Sequence, residues 1–408
     1  MSKRSIITSI DVGTTKVCTV IADMDDGGSI RVVGVGICPS VGLHKGLVVN
    51  IGEARDSVRE SVRKAEQASG CKVESAYVGV TGRHVSSLNN RAVVAITRND
   101  KLVRPYDLKR VIASARSVKV PVDRRLLHVI PRGYAVDGQS GVRNPIGMHG
   151  FRLDVEAHII TAAVTSVQNL VKCIRGIGVD IDDLILEPLA SSEAVLSEDE
   201  KQVGVILADI GGGTTDIAVF REGSIWHTAI LPVAGYQITR DLMIGLGLPF
   251  DVAEEMKKKY GSVTPVYETR GGMRSDDLVT NGHGVSHQDL CDIIRARVEE
   301  ILRLIVLEMP NTEYETLVPD GLVLTGGSAN LAGIEAFGRN TLQLPVRVGI
   351  PTSVYGIADA LHDPAYATSV GLLLWGAKHR EMQTWRRRRL GLGLRRFVSR
   401  MFNIFRYR

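Results

Sequence analysis

Asp209-Ile-Gly-Gly-Gly-Thr-Thr-Asp216 ends one apolar run, Gly204 to Asp209, and leads into another, Ile217 to Phe220. Two short strands joined by three glycines form a hairpin whose turn presents backbone N–H groups and threonine hydroxyls between two aspartates. Glycine is needed there because phosphate oxygens approach the backbone closely only where no Cβ intervenes. The same grammar stands near the N-terminus, where Ser5 to Asp11 runs into Gly13, Thr14, Thr15 and Lys16, and Val17 to Ala22 forms the returning arm. The two copies make a weak internal repeat, one opening each half of the chain. A third turn, Thr325-Gly-Gly-Ser328, follows the strand Leu322 to Leu324, at the edge where α/β sheets usually receive ligands.

Taken singly, a Gly-Gly turn after a strand is as readily a tight connection as a phosphate loop; three of them are informative together. The chain has no GxxxxGK[ST] loop and no GxGxxG that opens a helix after a strand, which disfavours the P-loop and Rossmann solutions to phosphate binding. A nucleotide clamped between two lobes would use all three turns. Aspartates paired beside phosphate would repel it unless a cation lay between, so Mg²⁺ is implied.

With 408 residues the chain exceeds what a single core usually serves, and two lobes are expected. Glu53 to Ala68 reads as a surface helix with Ala54, Val58, Val62 and Ala65 on one face, followed by a strand at Ala76 to Val80. A change of character then marks an inserted α+β subdomain: strands at Arg91 to Ile96, Leu126 to Val129 and His158 to Ala162, a helix at Tyr106 to Ser117, and a Gly-rich loop from Gly138 to Gly150. The first lobe resumes with a helix at Val167 to Gly176 and a strand at Leu184 to Leu186. In the second lobe, a Lys-rich helix at Val252 to Tyr260 and a long helix from Ser286 to Glu308 belong to a second insertion. Ser286 and Asp289 stand in capping-box spacing, and Leu290, Ile294, Val298, Ile301 and Ile305 repeat at the helical period. The expected division is 1–82, 164–200 and 351–380 for the first-lobe core, 83–163 for its insertion, 201–234 and 309–350 for the second-lobe core, 235–308 for its insertion, and 381–408 for a linker and terminal helix.

Charged residues at 23% and hydrophobic residues at 44% are an ordinary globular balance. The net charge of +5 is misleading until located: residues 382–408 hold nine Arg and no Lys, Asp or Glu, which leaves the remainder at −4. An anionic partner should therefore meet the tail, and the body has no character of a nucleic-acid binder. Cys18, Cys38, Cys71, Cys173 and Cys291 are odd in number and lack any CxxC pair, which suits a reducing compartment. No signal peptide is recognisable and no run reaches the about 18 apolar residues of a membrane span, so a cytoplasmic protein is expected.

These residues resemble the superfamily of actin, heat-shock chaperones and sugar kinases: Asp11 to Lys16 is similar to its first phosphate loop, Asp209 to Asp216 to its second, and Leu324-Thr-Gly-Gly-Ser-Ala-Asn-Leu-Ala-Gly333 to its adenosine loop. Within it the chain resembles the family of the bacterial cell-division protein FtsA. The likeness rests on Val136-Asp-Gly-Gln-Ser-Gly-Val-Arg-Asn-Pro-Ile-Gly-Met-His-Gly150, Leu186-Glu-Pro-Leu-Ala190 and Gly235-Tyr-Gln-Ile-Thr-Arg-Asp241, and extends over nearly the whole chain. It implies an actin-like two-lobed α/β ATPase fold with two inserted subdomains and a C-terminal amphipathic helix. ATP and Mg²⁺ are the implied cofactors. Asp11 and Asp209 would position Mg²⁺ through waters; Gly13, Thr14, Thr15, Gly211, Gly212, Gly213, Thr214 and Thr215 would hold phosphates, with Lys16 neutralising their charge. Glu187 would orient the attacking water, with Asp216 nearby. Glu254, Lys257 and Lys258 would meet ribose and adenine opposite Gly326, Gly327 and Ser328. Read without the family, Glu187 is equally a surface carboxylate at the start of a helix with Pro188 in its first turn.

The tail adds the membrane. Leu394, Phe397, Val398, Met401, Phe402, Ile404 and Phe405 fall on one side of a helical wheel, with Arg395, Arg396, Arg400 and Arg406 off its centre. Such a helix lies in the headgroup plane, and each Arg near an anionic leaflet contributes roughly 1 kcal/mol. Packing of this helix on the body would leave the Arg386 to Arg389 run unexplained, and nucleic-acid arms are seldom apolar at a strict helical period. The resemblance then implies head-to-tail filaments, at most slow ATP hydrolysis, a place on the cytoplasmic face of the bacterial inner membrane, and recruitment of the tubulin-like FtsZ and later division proteins. Arg295, Arg297 and Arg303 are the candidate contacts for the acidic FtsZ tail. Two rivals stand beside this reading: an actin-like adaptor of another membrane machine, such as pilus assembly, and a sugar kinase of the same superfamily.

Overall fold

Each of the two aspartate-glycine turns joins the first two strands of a three-stranded antiparallel meander, and each meander is extended by two strands parallel to its first. In the computed structural model, which describes residues 5–25, 28–264, 277–280, 283–309 and 318–388, the first sheet runs Asp180–Leu186, Ser75–Val80, Ser5–Val12, Lys16–Met24, Ile30–Pro39, with Tyr355–Gly356 on its edge. The second runs Val346–Val348, Leu322–Thr325, Val205–Ile210, Thr215–Arg221, Ser224–Leu231. The strand order is the same in both, so the faint repeat in sequence is a duplicated architecture. Every residue of Val205–Ile210 is buried, as befits a central strand covered on both faces.

The sheets are covered by helices whose ends are chemically set. Ile51–Ser69 begins where the Asn50 side chain accepts from the N–H groups of Gly52 and Glu53, and ends at Gly70, whose φ of 68° only glycine adopts at no cost. It buries Ala54, Val58, Val62 and Ala65 against the first sheet, the face its periodicity predicted. In the second lobe the long helix, His287–Leu307, starts at Ser286, whose Oγ accepts from Asp289 N at 3.3 Å. Leu290, Ile294, Val298, Ile301 and Ile305 are all buried in that lobe's core.

Two helices, Glu187–Val195 and Ala367–Arg388, lie between the sheets. Their buried residues Leu189, Ala190, Val370 and Leu373 join Ile7 and Val20 of the first sheet and Ala218 and Val323 of the second in one core. They cross at Gly371, where a Cβ would fall 1.8 Å from the carbonyl oxygen of Ala190. Only small residues allow two backbones to come this close.

The insertion is a separate layer. Val85–Ala95, Arg152–Ala163, Arg124–Val136 and Gln139–Val142 form a four-stranded antiparallel sheet, and Pro105–Arg116 packs on it through Val111 and Ala115. Three of these strands are longer than the sequence expectation of Arg91 to Ile96, Leu126 to Val129 and His158 to Ala162, and the Gly138 to Gly150 loop holds the short strand Gln139–Val142. The extensions carry Arg124, Arg125 and Arg132 on one strand and Arg152, Asp154 and Glu156 on another, which hides the apolar alternation. Although it emerges from the first lobe, the insertion is bonded to the edge strand of the second. His158 Nε2 meets Thr228 Oγ1 at 3.0 Å, Ser87 Oγ donates to Thr228 O at 3.0 Å, Ser224 Oγ donates to Pro131 O at 2.8 Å, and Arg132 stacks over Trp226.

None of the described helices is long and apolar enough to cross a membrane. The amphipathic segment from Leu394 to Phe405, with Arg395, Arg396, Phe397, Val398, Arg400, Met401, Phe402 and Ile404, lies outside the described residues.

At the crossing, Gly371→Val has no room for its side chain, and overpacking against backbone should cost roughly 2 kcal/mol or more. The thermal unfolding midpoint is expected to fall by several degrees; an unchanged midpoint would mean that the helices do not meet there.

Candidate functional site

Strand register brings the three glycine turns together. Asp209 pairs with Thr325 across parallel strands, which sets the Gly326 to Ser328 turn beside Gly211, and Ser328 Oγ donates to Gly211 O at 3.2 Å. The first and second loops face each other across the lobes. A Cβ on Gly212 would sit 1.9 Å from Thr15 Oγ1, and one on Gly213 would sit 2.6 Å from Thr14 Oγ1. Gly326, at φ 84°, lies so close to Asp209 that a Cβ would fall 2.4 Å from Oδ1. Between the turns is a cleft of about 460 Å³. Asp11, Gly13, Thr14, Thr15, Lys16, Glu187, Asp209, Gly211, Gly212, Gly213, Thr214, Asp216, Glu254, Lys257, Lys258, Gly326, Gly327 and Ser328 all line it. Thr215 does not: its hydroxyl donates to Val233 O at 2.7 Å and it is wholly buried in the strand.

Four carboxylates share this cleft and each is at least nine-tenths buried: Asp11, Glu187, Asp209 and Asp216. The surface reading of Glu187 is therefore corrected. Its backbone opens the Glu187–Val195 helix directly after a buried strand, so the side chain points inward against Gly79, where a Cβ would lie 3.2 Å from Oε1. The preceding N–H, of Leu186, donates to Nε2 of His128 at 3.1 Å; burial holds that histidine near a pKa of about 4, hence neutral.

Burial and mutual repulsion set the charge state. Burial raises Asp11 to about 6, with Asp209 adding to the rise while Lys16 and the Ser369 hydroxyl oppose it. Burial raises Asp216 to about 7, against the hydroxyl bonds from Thr81 and Thr214. Glu187 stands well above the usual carboxylate range, first through burial and then through Asp11, Asp216 and Asp209. Burial raises Asp209 as well, opposed by hydroxyl bonds from Ser191 and Thr368. Clustered acids in a glycine-lined cradle are a donor set suited to a divalent cation carrying phosphate oxygens. Among the described residues no group of three or more acid, histidine or cysteine side chains is arranged to ligate a metal directly.

The cations are already partnered within the chain. Lys16 Nζ donates to Ala365 O at 2.6 Å and lies 4.5 Å from the centre of the Tyr366 ring. Lys257 donates to Gly235 O at 3.1 Å, Thr239 Oγ1 at 2.8 Å and Glu254 Oε2 at 2.6 Å, binding the helices Gly235–Gly245 and Phe250–Tyr260 into one wall of the cleft. Lys258 is more exposed and pairs with the other Glu254 oxygen at 3.1 Å. Residues not anticipated from the sequence are Thr81, Ala365, Tyr366 and Thr368 in the lining, and Ser191 and Ser369 behind it. They come from isolated hydroxyls and a short turn with no motif around them.

On the long helix, Arg295 pairs with Asp292 at 3.0 Å and Arg303 with Glu299 at 2.6 Å, while Arg297 grips Asp241 with two nitrogens and reaches Glu300. Arg303 is 68% exposed, Arg295 29% and Arg297 25%, so Arg303 is the most accessible of the three.

Residues 206–371 match the family described as cell division protein FtsA, and residues 82–161 match the SHS2 domain inserted in FtsA. The chain is 42% identical over 373 residues to the cell division protein FtsA of Pseudomonas aeruginosa, covering 91% of this chain and 89% of that protein. Among solved structures, the PilM-PilN type IV pilus biogenesis complex matches with a TM-score of 0.65 at 16% identity, over 91% of this chain and 98% of that one. MreB 5 of Spiroplasma citri bound to AMPPNP matches with a TM-score of 0.53 at 14% identity, over 95% and 99%. These structural likenesses establish the fold, which is actin-like.

The charge state of the cleft predicts a pH signature. An acid whose pKa rises on folding contributes stability below its unfolded value and loses it as pH climbs through the folded value, here from about 4 to about 7 for Asp216. Burial lowers His84, His128, His158 and His227, which gives the opposite slope below about 6.5, so the comparison of variant with parent isolates the aspartate. Without nucleotide or divalent metal, Asp216→Asn should stabilise the protein at pH 8 relative to its effect at pH 5. A thermal-unfolding difference that does not change between those pH values would refute this account of the cleft.

Proposed function

The chain belongs to the FtsA family, as an actin-like cell-division protein, and from that premise we propose that it binds ATP with Mg²⁺ between its lobes, assembles head to tail, and ties FtsZ to the inner face of the bacterial membrane. The observation that carries the reading is the meeting of three glycine turns around four buried carboxylates in a single interlobe cleft. Magnesium, when bound, supplies the positive charge that lets phosphates lie beside those acids. The chain's own parts have separate tasks. Backbone N–H groups of Gly13 and Gly211 to Gly213, with the Thr14, Thr15 and Thr214 hydroxyls, receive phosphate oxygens, and Lys16 exchanges Ala365 O for phosphate. Asp11 and Asp209 would hold the metal, by accepting from its waters. Glu187 orients the water that would attack, which gives slow hydrolysis at most. The wall pinned by Lys257 and Glu254, with Lys258 at its rim, faces the ribose and base opposite Gly326, Gly327 and Ser328.

Because the cleft is walled by both lobes, its occupant fixes their mutual angle, and with it the surfaces available to a second copy. The MamK double helical filament, a structure of the same fold, supports self-association. The tail, with its alternating Arg and apolar positions, is the membrane anchor, and the insertion with the long helix takes the acidic FtsZ tail, Arg303 being its most accessible cation. The pilus-adaptor alternative has 16% identity to its structural likeness, against 42% for the division relative, and is the weaker reading. Nothing in the cleft favours a sugar kinase over it.

Gly212→Val should weaken ATP binding by tenfold or more, since its side chain would occupy the space of Thr15 Oγ1. Equal affinity in the variant and the parent, measured by titration with a fluorescent ATP analogue, would remove the loop from the site. In sedimentation with anionic vesicles, the intact chain should carry a labelled FtsZ tail peptide into the pellet, and a chain ending at Gln383 should leave it in solution. If both chains stay in the supernatant, the anchor reading is wrong; if the intact chain pellets without the peptide, the adaptor reading is wrong.

A further inference from the structure

The two aspartates nearest the phosphate loops are held from outside their own hairpins. Ser191, on the helix Glu187–Val195, donates its hydroxyl to Asp209 Oδ2 at 2.6 Å, and Thr368, on the helix Ala367–Arg388, donates to the same oxygen at 3.0 Å. Ser369, one residue further on, donates to Asp11 Oδ2 at 2.9 Å, and its own carbonyl is held by Ser9 Oγ at 2.9 Å. Ser191 and Ser369 are fully buried and Thr368 is 7% exposed.

These bonds are not the default for a helical hydroxyl. A serine or threonine inside a helix ordinarily turns back to a carbonyl of its own preceding turn, and Ser192, the neighbour of Ser191, does so with Leu189 O at 2.7 Å. Ser191, Thr368 and Ser369 instead spend their donors on carboxylates of strands that belong to different lobes. The bonds to Asp209 both fall on Oδ2, while Oδ1 lies against Gly326 at the cleft. Carbonyl, hydroxyl and carboxylate all sit within one turn of the Gly371 and Ala190 crossing.

We propose that Ser191, Thr368 and Ser369 are positioning residues for the metal-phosphate site, aiming Asp209 and Asp11 from the helix crossing so that the lobe angle sets metal affinity. This rests on the nucleotide reading above. A hydroxyl donating to a buried carboxylate favours its ionised, correctly turned form; since one hydroxyl from each helix reaches Asp209, sliding one helix on the other cannot preserve both bonds. Rotation of the lobes therefore changes how well the two aspartates present oxygens to metal-bound water.

The test is ATP affinity of the full chain with Mg²⁺ and with EDTA, measured for the parent, Thr368→Val, Ser191→Ala, Ser369→Ala and the conservative Thr368→Ser. Thr368→Val and Ser191→Ala should each lower the Mg²⁺-dependent gain in affinity by about tenfold, the worth of one hydrogen bond to a charged group, and Ser191→Ala, behind the lining, should leave affinity in EDTA unchanged. Thr368→Ser should restore the gain, and the pH at which the gain appears should move upward in Thr368→Val. Ser369→Ala, acting on Asp11, supplies an independent reading should either Asp209 variant fold poorly. Equal loss with and without Mg²⁺, or no loss in any variant, overturns the positioning role. A parent that binds ATP no better with Mg²⁺ than with EDTA overturns the nucleotide reading itself, which is a different result.

Discussion

Backbone contact between the two interlobe helices fixes more of this molecule than any other interaction. At Gly371 the second helix rests on the carbonyl of Ala190 with no side chain between, and the small residues Ser191, Thr368 and Ser369 lie within one turn of it. Packing of this kind has little compliance, because there are no rotamers to adjust. Both sheets lean on the same pair of helices through Ile7, Val20, Ala218 and Val323, so the lobes share one core. Motion between them must pass through a contact with few degrees of freedom, which makes a small set of discrete arrangements more natural than a continuum.

The cleft that this crossing supports is expensive to keep. Burying four acids within reach of one another opposes folding, and their raised pKa values express that cost. A protein selected for stability alone would replace some of them. Their place in a glycine-lined space is where a cation bound with phosphate would offset that cost.

The site was legible in the sequence because its parts are punctuated: glycines with threonines and aspartates at strand ends leave a local mark, and of the eighteen residues named from three turns and one helix, seventeen line one cleft and Thr215 lies behind it. Its supports were not legible. Ser191, Thr368 and Ser369 are ordinary helix residues whose importance is a matter of three-dimensional aim, and His128 reaches Leu186 across 58 positions. Among the elements, amphipathic helices with caps, such as Ile51–Ser69 and His287–Leu307, stood out by period. The helix Ala367–Arg388 did not: buried on several sides and carrying Gly371 and Gly376, it has neither a polar stripe nor a clear start. The strand Ile30–Pro39 alternates only half-buried with buried positions, which blurs the period of two.

The bonding of the insertion to Ser224–Leu231 has a consequence for how the chain can be divided. That strand is the rim of its sheet and would otherwise present a row of unshared amide groups to any passing chain. The insertion shields it with His158, Ser87, the carbonyl of Pro131 and the stacked Arg132. The second lobe is thus unsuited to existence by itself: cut free from the first, it would carry an adhesive border. The insertion, which emerges from the first lobe, in this way covers an open margin of the second lobe's sheet.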